Sequence, residues 1–294
     1  MSRSSGQKTD KTTEKAGKAA KCIAFANHKG GTGKTSSCVS IAGHLADNGY
    51  RVLVVDFDPG ANATSALGID AATVERSIYD AILGECDSYE RVPLTEVILE
   101  TSVENLHVAP SELDLAAAEA LMLHARRRPY ALNRILGEVR PLYDYILIDL
   151  PPNPGLLTIN GLCAADQVVV PMDPSIFSLE ALENMRLILD DVRRIAGHSI
   201  SEVTVVLNRY VKRSIVSRLL SRRSPSQEIE ATLTQMFDSV FVVPESTDIF
   251  ETQRQGVPIS HHAPQSRVGR AYAEIANSIS ANSEQKSHSS RQTE

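Results

Sequence analysis

The chain has 294 residues, 42% hydrophobic and 22% charged, enough apolar material for the core of one large α/β domain or two small ones. A formal net charge of −6 excludes a molecule that is cationic as a whole, so nucleic-acid contact has to come from a local patch. Cys22, Cys38, Cys86 and Cys163 share no regular spacing and no C-x-x-C pair, which argues against a zinc site or disulfide framework and for free thiols in a reducing cytoplasm.

Residues 1–20 are rich in Ser, Thr and Lys and lack the apolar stretch of a signal peptide, so they read as a disordered, mildly basic tail. "CIAFANH" (22–28) reads as a short apolar strand, followed by a helix from Lys34 to Asn48 with Val39, Ile41, Ala42 and Leu45 at helical spacing. "RVLVVDFD" (51–58) is a continuous apolar strand of the buried, parallel kind. The stretch from Asp70 to Arg140 carries no usable signature. Further strands are expected in "YDYILIDLPP" (143–152), "QVVVPMD" (167–173), "VTVVLNRY" (203–210) and "VFVVP" (240–244), with amphipathic helices at Ser178–Ile195 and Gln227–Phe237. This alternation predicts a single α/β domain over 21–279, a mostly parallel twisted sheet with helices on both faces, and a second polar tail over 280–294. No apolar run approaches the length of a membrane span.

The run "FANHKGGTGKTSS" (25–37) sits between the first strand and the first helix. A glycine-rich loop there gathers backbone amides and a helix N-terminus around one point, a geometry suited to a di- or triphosphate. Gly30, Gly31 and Gly33 let the backbone close on phosphate oxygens, with Thr32 and Ser36 also in reach, Lys34 neutralising the β- and γ-phosphates and Thr35 offering its hydroxyl to Mg²⁺. The pattern G-x-x-x-x-G-K-[ST] is broken at its first position, where His28 stands, and Lys29 is an additional cation inside the loop.

"KGGTGKT" resembles the deviant Walker A box, K-G-G-x-G-K-[ST], of the ParA/MinD family of P-loop ATPases. The resemblance covers roughly residues 22–277 by motif order, is closest to the small ParA type, and implies the P-loop NTPase fold with ATP and Mg²⁺ as cofactors. It implies that Lys29 reaches the nucleotide of a partner subunit in an ATP-sandwich homodimer, acting in catalysis with Lys34 and Asp58. "DFDPGANAT" (56–64) is similar to the family's switch I, D-x-D-P-Q-x-N-A-T. By that likeness Asp58 positions the hydrolytic water, Asp56 supports the Mg²⁺ shell or the loop, and Asn62 and Thr64 match. Gly60 replaces the usual glutamine, so a switch I that is looser, or that contacts its partners differently, is expected. "YILIDLPPNPG" (145–155) resembles Walker B and switch II, with Asp149 holding Mg²⁺ through water beside Thr35. Asn208 and Pro244, at two late strand ends, are implied to flank adenine, or else are a turn asparagine and a strand-ending proline.

The family divides by what the ATP-bound dimer touches. "RYVKRSIVSRLLSRR" (209–223) brings Arg209, Lys212, Arg213, Arg218, Arg222 and Arg223 together without an acid, with Arg194 upstream and Arg267 and Arg270 forming a smaller group. These read as a patch for non-specific DNA whose binding would be strongly salt-dependent, or as a solvated helix face. Residues 267–283 lack the large apolar face of a membrane-binding helix, and only Cys163 falls near switch II, unlike a cluster-bridging pair. The expected function is therefore a partition or positioning ATPase in the cytoplasm, on the nucleoid. A ParB-like or cargo-adaptor partner would stimulate its weak hydrolysis, and no membrane is involved. The alternatives are a MinD-like membrane-associated regulator and a metal-cluster assembly ATPase.

Overall fold

The computed structural model describes residues 19–86, 89–122, 128–175, 177–200, 202–210 and 225–291. Its strands are β1 (Lys21–Phe25), β2 (Val52–Asp56), β3 (Leu99–Glu100), β4 (Leu106–Ala109), β5 (Tyr145–Asp149), β6 (Gln167–Met172), β7 (Glu202–Tyr210) and β8 (Ser239–Pro244). They form one sheet in the order β3-β4-β2-β5-β1-β6-β7-β8, parallel throughout except for the β3–β4 pair at one edge. The helices are α1 (Lys34–Asp47), α2 (Asn62–Ala66), α3 (Ile78–Leu83), α4 (Leu115–Met122), α5 (Ala131–Leu136), α6 (Leu156–Ala164), α7 (Phe177–Ala196), α8 (Pro225–Met236), α9 (Asp248–Gln255), α10 (Ile259–His262) and α11 (Arg267–Arg291).

The central strands read as unbroken apolar runs because both of their faces are covered. Along β1, Ile23 and Phe25 enter the core beneath α1, α10 and α11, while Cys22 and Ala24 enter the core beneath the helices of the other face. Helix α11 contributes Val268, Tyr272, Ile275 and Ile279, all buried. Fully burying an aliphatic side chain of this size stabilises by about 1.5–3 kcal/mol.

One expectation needs correction. The helix ending the domain does not stop near 279: α11 runs to Arg291, because no Gly or Pro after Gly269 interrupts it. The stretch 70–140, which carries no usable signature in the sequence, joins the same sheet and core. It supplies β3 and β4, which extend the sheet beyond β2, and α3 to α5, which cover one face. The four residues of β4 are too few for their periodicity to stand out.

Candidate functional site

A parallel sheet directs all of its strand ends, and the loops that follow them, to one edge. Asp149 at the end of β5 is in register with Phe25 on β1 and with Asp56 on β2, which sets the glycine-rich loop and both carboxylates side by side. The edge holds a cleft of about 580 Å³. Gly30, Gly31, Gly33, Lys34, Thr35 and Ser36 line it from the loop, and Asp58, Asn208 and Pro244 close it from three other strand ends.

Gly31 (φ 73°) and Gly33 (φ 88°) occupy the left-handed region, which an L side chain enters at a cost. Gly33 is the N-cap of α1, and no side chain accepts from the helix's first amides. Those donors, with the positive end of the helix dipole, form an anion seat. Lys34 is buried; burial pushes its ammonium pKa down, while Asp149 and then Asp58 draw it back up.

The Thr35 hydroxyl donates to Asp149 Oδ2 at 2.6 Å. Asp149 is fully buried, and its Oδ1 has no hydrogen-bond partner among the described residues. Burial, followed by the charge of Asp56, drives the Asp149 pKa well above the usual carboxylate range against the opposing pull of Thr35 and Lys34. A buried carboxylate oxygen without a donor, beside a hydroxyl and an uncapped helix start, is a donor set that Mg²⁺ and a nucleotide phosphate fit.

Of the two roles expected for Asp56, its contacts fill the one in the loop. Its Oδ2 accepts from the Thr64 amide and hydroxyl, each at 2.7 Å, and its Oδ1 from the Asp58 amide at 3.3 Å. Burial raises its pKa to about 6 against those three hydrogen bonds. The Thr64 hydroxyl in turn accepts from the Ser111 amide at 3.0 Å, so the chain just beyond β4 holds switch I in place. Glu119 on α4 accepts from the Leu157 amide at 3.0 Å and steadies switch II. The stretch without a signature thus supports both loops.

Gly60 lies in a hydrogen-bonded turn of switch I. Its amide donates to Asp58 Oδ1 at 2.9 Å, and a Cβ at this position would stand 2.8 Å from Asn62 Nδ2. A side chain at this position would require the Asn62 amide to move aside.

Lys29 is not part of the lining of its own cleft. Its side chain is 46% exposed, and its Nζ lies 3.8 Å from Asp173 Oδ2. Asp173 also faces Arg209 Nε at 3.6 Å, and Arg209 lies over the loop, 3.8 Å from where a Cβ on Gly31 would stand. Arg209 therefore belongs to the cleft and not to a separate basic patch. Asn208 is buried, with both ends of its amide hydrogen-bonded inside the protein. Of the cations expected to meet DNA, Arg194 is exposed and paired with Asp191 at 2.6 Å, and Arg267 and Arg270 are exposed in the first turn of α11. Lys212, Arg213, Arg218, Arg222 and Arg223 lie outside the described residues.

Sequence reasoning missed Tyr272 as a residue of the site. It lines the cleft from α11 and hydrogen-bonds Asn208. The available signal was a tyrosine on an apolar helix face, a residue type that usually carries its hydroxyl to a partner when buried.

A family described as an AAA domain matches residues 20–202. The sporulation initiation inhibitor protein Soj of Bacillus subtilis is 37% identical over 266 residues, covering 89% of this chain and 99% of the relative. The chromosome-partitioning ATPase Soj of Treponema pallidum is 34% identical over 264 residues, covering 89% and 97%. Among solved structures, cobyrinic acid a,c-diamide synthase from Mycobacterium smegmatis, with a bound ATP analogue and magnesium, superposes with a TM-score of 0.71. It is 28% identical, and the match covers 88% of this chain and 94% of that one.

Proposed function

This chain belongs to the ParA/MinD family of P-loop ATPases, and from that premise we propose that it forms an ATP-sandwich dimer which binds DNA without sequence preference and distributes a cargo. It is an ATPase of the partition type and uses ATP with Mg²⁺. The observation that carries the proposal is the position of Lys29: half exposed beside a cleft that it does not line, with only a long contact to Asp173 described. A cation so placed is free to serve the nucleotide of a second copy.

When bound, ATP supplies the phosphoryl group, and Mg²⁺ supplies charge that neutralises its oxygens. The amides of residues 30–33 and the start of α1 receive the phosphates, with Lys34 as the cis cation. Thr35 and Asp149 would hold the metal shell, and Asp56 stiffens switch I through Thr64. Asp58, in the lining of the cleft, orients the attacking water. Lys29 from the partner completes the charge balance, so dimerisation depends on an intact triphosphate. A ParB-like or cargo-bound partner would speed the slow hydrolysis, releasing the dimer from the nucleoid. Among the described residues no helix is long and apolar enough to cross a membrane.

The reading is tested by an ATP-dependent shift of random duplex DNA. Binding should appear with a non-hydrolysable ATP analogue, vanish with ADP, and weaken steeply between low and moderate salt. Changing Arg218, Arg222 and Arg223 together to Glu should remove the shift and spare ATP binding; an unchanged shift would return those cations to the role of a solvated face. ATP-dependent flotation with liposomes would move the reading to a membrane regulator, and a product other than ADP and phosphate to a synthase or cluster-assembly enzyme on this fold. Asp58→Ala should lower turnover by about 10²-fold while the ATP dimer persists on DNA, as expected when a water-positioning group is lost. Single-turnover hydrolysis at the unmodified rate would remove Asp58 from that role.

A further inference from the structure

Against the phosphate loop, at the wall of the cleft, lies a closed network of buried polar side chains. Tyr272 donates its hydroxyl to Asn208 Oδ1 at 3.1 Å. Asn208 Nδ2 donates to Ser37 Oγ at 3.2 Å, and the Ser37 and Tyr272 hydroxyls lie 3.2 Å apart. With one proton on each hydroxyl, the ring closes in a single sense: Tyr272 to Asn208, Asn208 to Ser37, Ser37 to Tyr272. The second N–H of Asn208 donates to the carbonyl of Thr32, inside the loop, at 2.8 Å. Ser37 is fully buried, and Thr32, Asn208 and Tyr272 are each no more than 4% exposed.

The backbone has been bent to make this contact. The β7–β8 pairing shifts register between Leu207 and Tyr210, and Arg209 takes a left-handed φ of 54°. Bulges of this kind re-aim a side chain, and a non-glycine residue in that region carries strain that its surroundings must hold. Asn208 Nδ2 consequently sits 2.5 Å from where a Cβ on Gly33 would stand, packed directly on the turn that begins α1. Both amide protons of Asn208 are engaged with the protein, which leaves one Oδ1 lone pair as the side chain's only remaining polar capacity.

We propose that Tyr272 and Asn208 are positioning residues for the phosphate loop: through the Thr32 carbonyl and Ser37 they fix the left-handed turn at Gly33 and so aim the amides that receive phosphate. The effect is on phosphate and not on the base, which separates it from an adenine-reading role for Asn208. The inference rests on the assignment of the cleft to ATP but not on dimerisation or DNA binding, so it is tested with diphosphates, which require no second copy.

The full chain, Tyr272→Phe and Asn208→Ser are titrated calorimetrically with Mg-ADP and with Mg-GDP, and the melting of each nucleotide-free protein is followed. Loss of one or two buried hydrogen bonds that pre-set the loop should weaken ADP and GDP by the same factor, about three- to tenfold, in both variants. Two results would overturn the proposal. If Asn208→Ser weakens ADP but not GDP, the side chain reads the base. If both variants melt earlier yet bind both nucleotides as the parent does, the network serves packing alone. Tyr272→Phe keeps the ring and its contacts, so a folded variant is available for the comparison.

Discussion

Replacing Lys29 with alanine is expected to leave the protein folded and able to bind ATP, yet to abolish its ATP-dependent dimer and reduce turnover by about 10³-fold. The size follows from what a cation supplied in trans contributes to phosphoryl transfer, where arginine fingers are worth about 10³–10⁵. Little stability is at stake: the side chain is 46% exposed and faces Asp173 at 3.8 Å, and surface pairs of this kind contribute about 0–1 kcal/mol. Light scattering with a non-hydrolysable ATP analogue and Mg²⁺ reads the outcome directly. A dimer of undiminished affinity in the variant would show that Lys29 is a bystander and that the sandwich is held by other contacts.

Lys34→Ala should behave in the opposite way, damaging binding first. Lys34 is the buried cation of the loop, and Asp149 and Asp58 both act on it electrostatically. Removing it takes away the charge that meets the phosphates and leaves the buried Asp149 without its ammonium neighbour. Nucleotide affinity should fall by at least about 10²-fold, the scale of 2–5 kcal/mol expected when one partner of a buried charge set is deleted. The same deletion should lower the melting temperature of the nucleotide-free protein, which Lys29→Ala should not. Titration with a fluorescent ATP analogue measures the first effect and thermal melting the second; near-parental affinity would place the phosphates somewhere other than this loop.

The two lysines separate what each level of description can say. Their identity as a pair was legible in "KGGTGKT", because loop chemistry is local: glycines, a following helix and cations at fixed offsets. That one lies buried beneath the phosphate seat and the other stands outside the cleft emerged only from the folded chain. Asp56 and Asp58 differ in the same way. Two residues apart on one strand end, they were told apart only by resemblance, and the fold separates them physically: Asp56 is closed in by Thr64 while Asp58 lines the cleft. Of the basic stretch at 209–223, Arg209 turns into the cleft beside Asp173.

By itself the sequence determined the fold class, the order of the phosphate loop and the two acidic strand ends, and the family. Each rests on local periodicity or on short fixed spacings, which a linear string records. The tertiary structure decided that the chain just beyond β4, together with α4, braces both switch loops, and that Tyr272 and Asn208 pack against the phosphate loop. Ser37 and Tyr272 are 235 positions apart and Asn208 and Thr32 are 176 apart. Contacts over such separations are set by how strands are ordered across the sheet and which face each helix covers, and no pattern within either segment announces them.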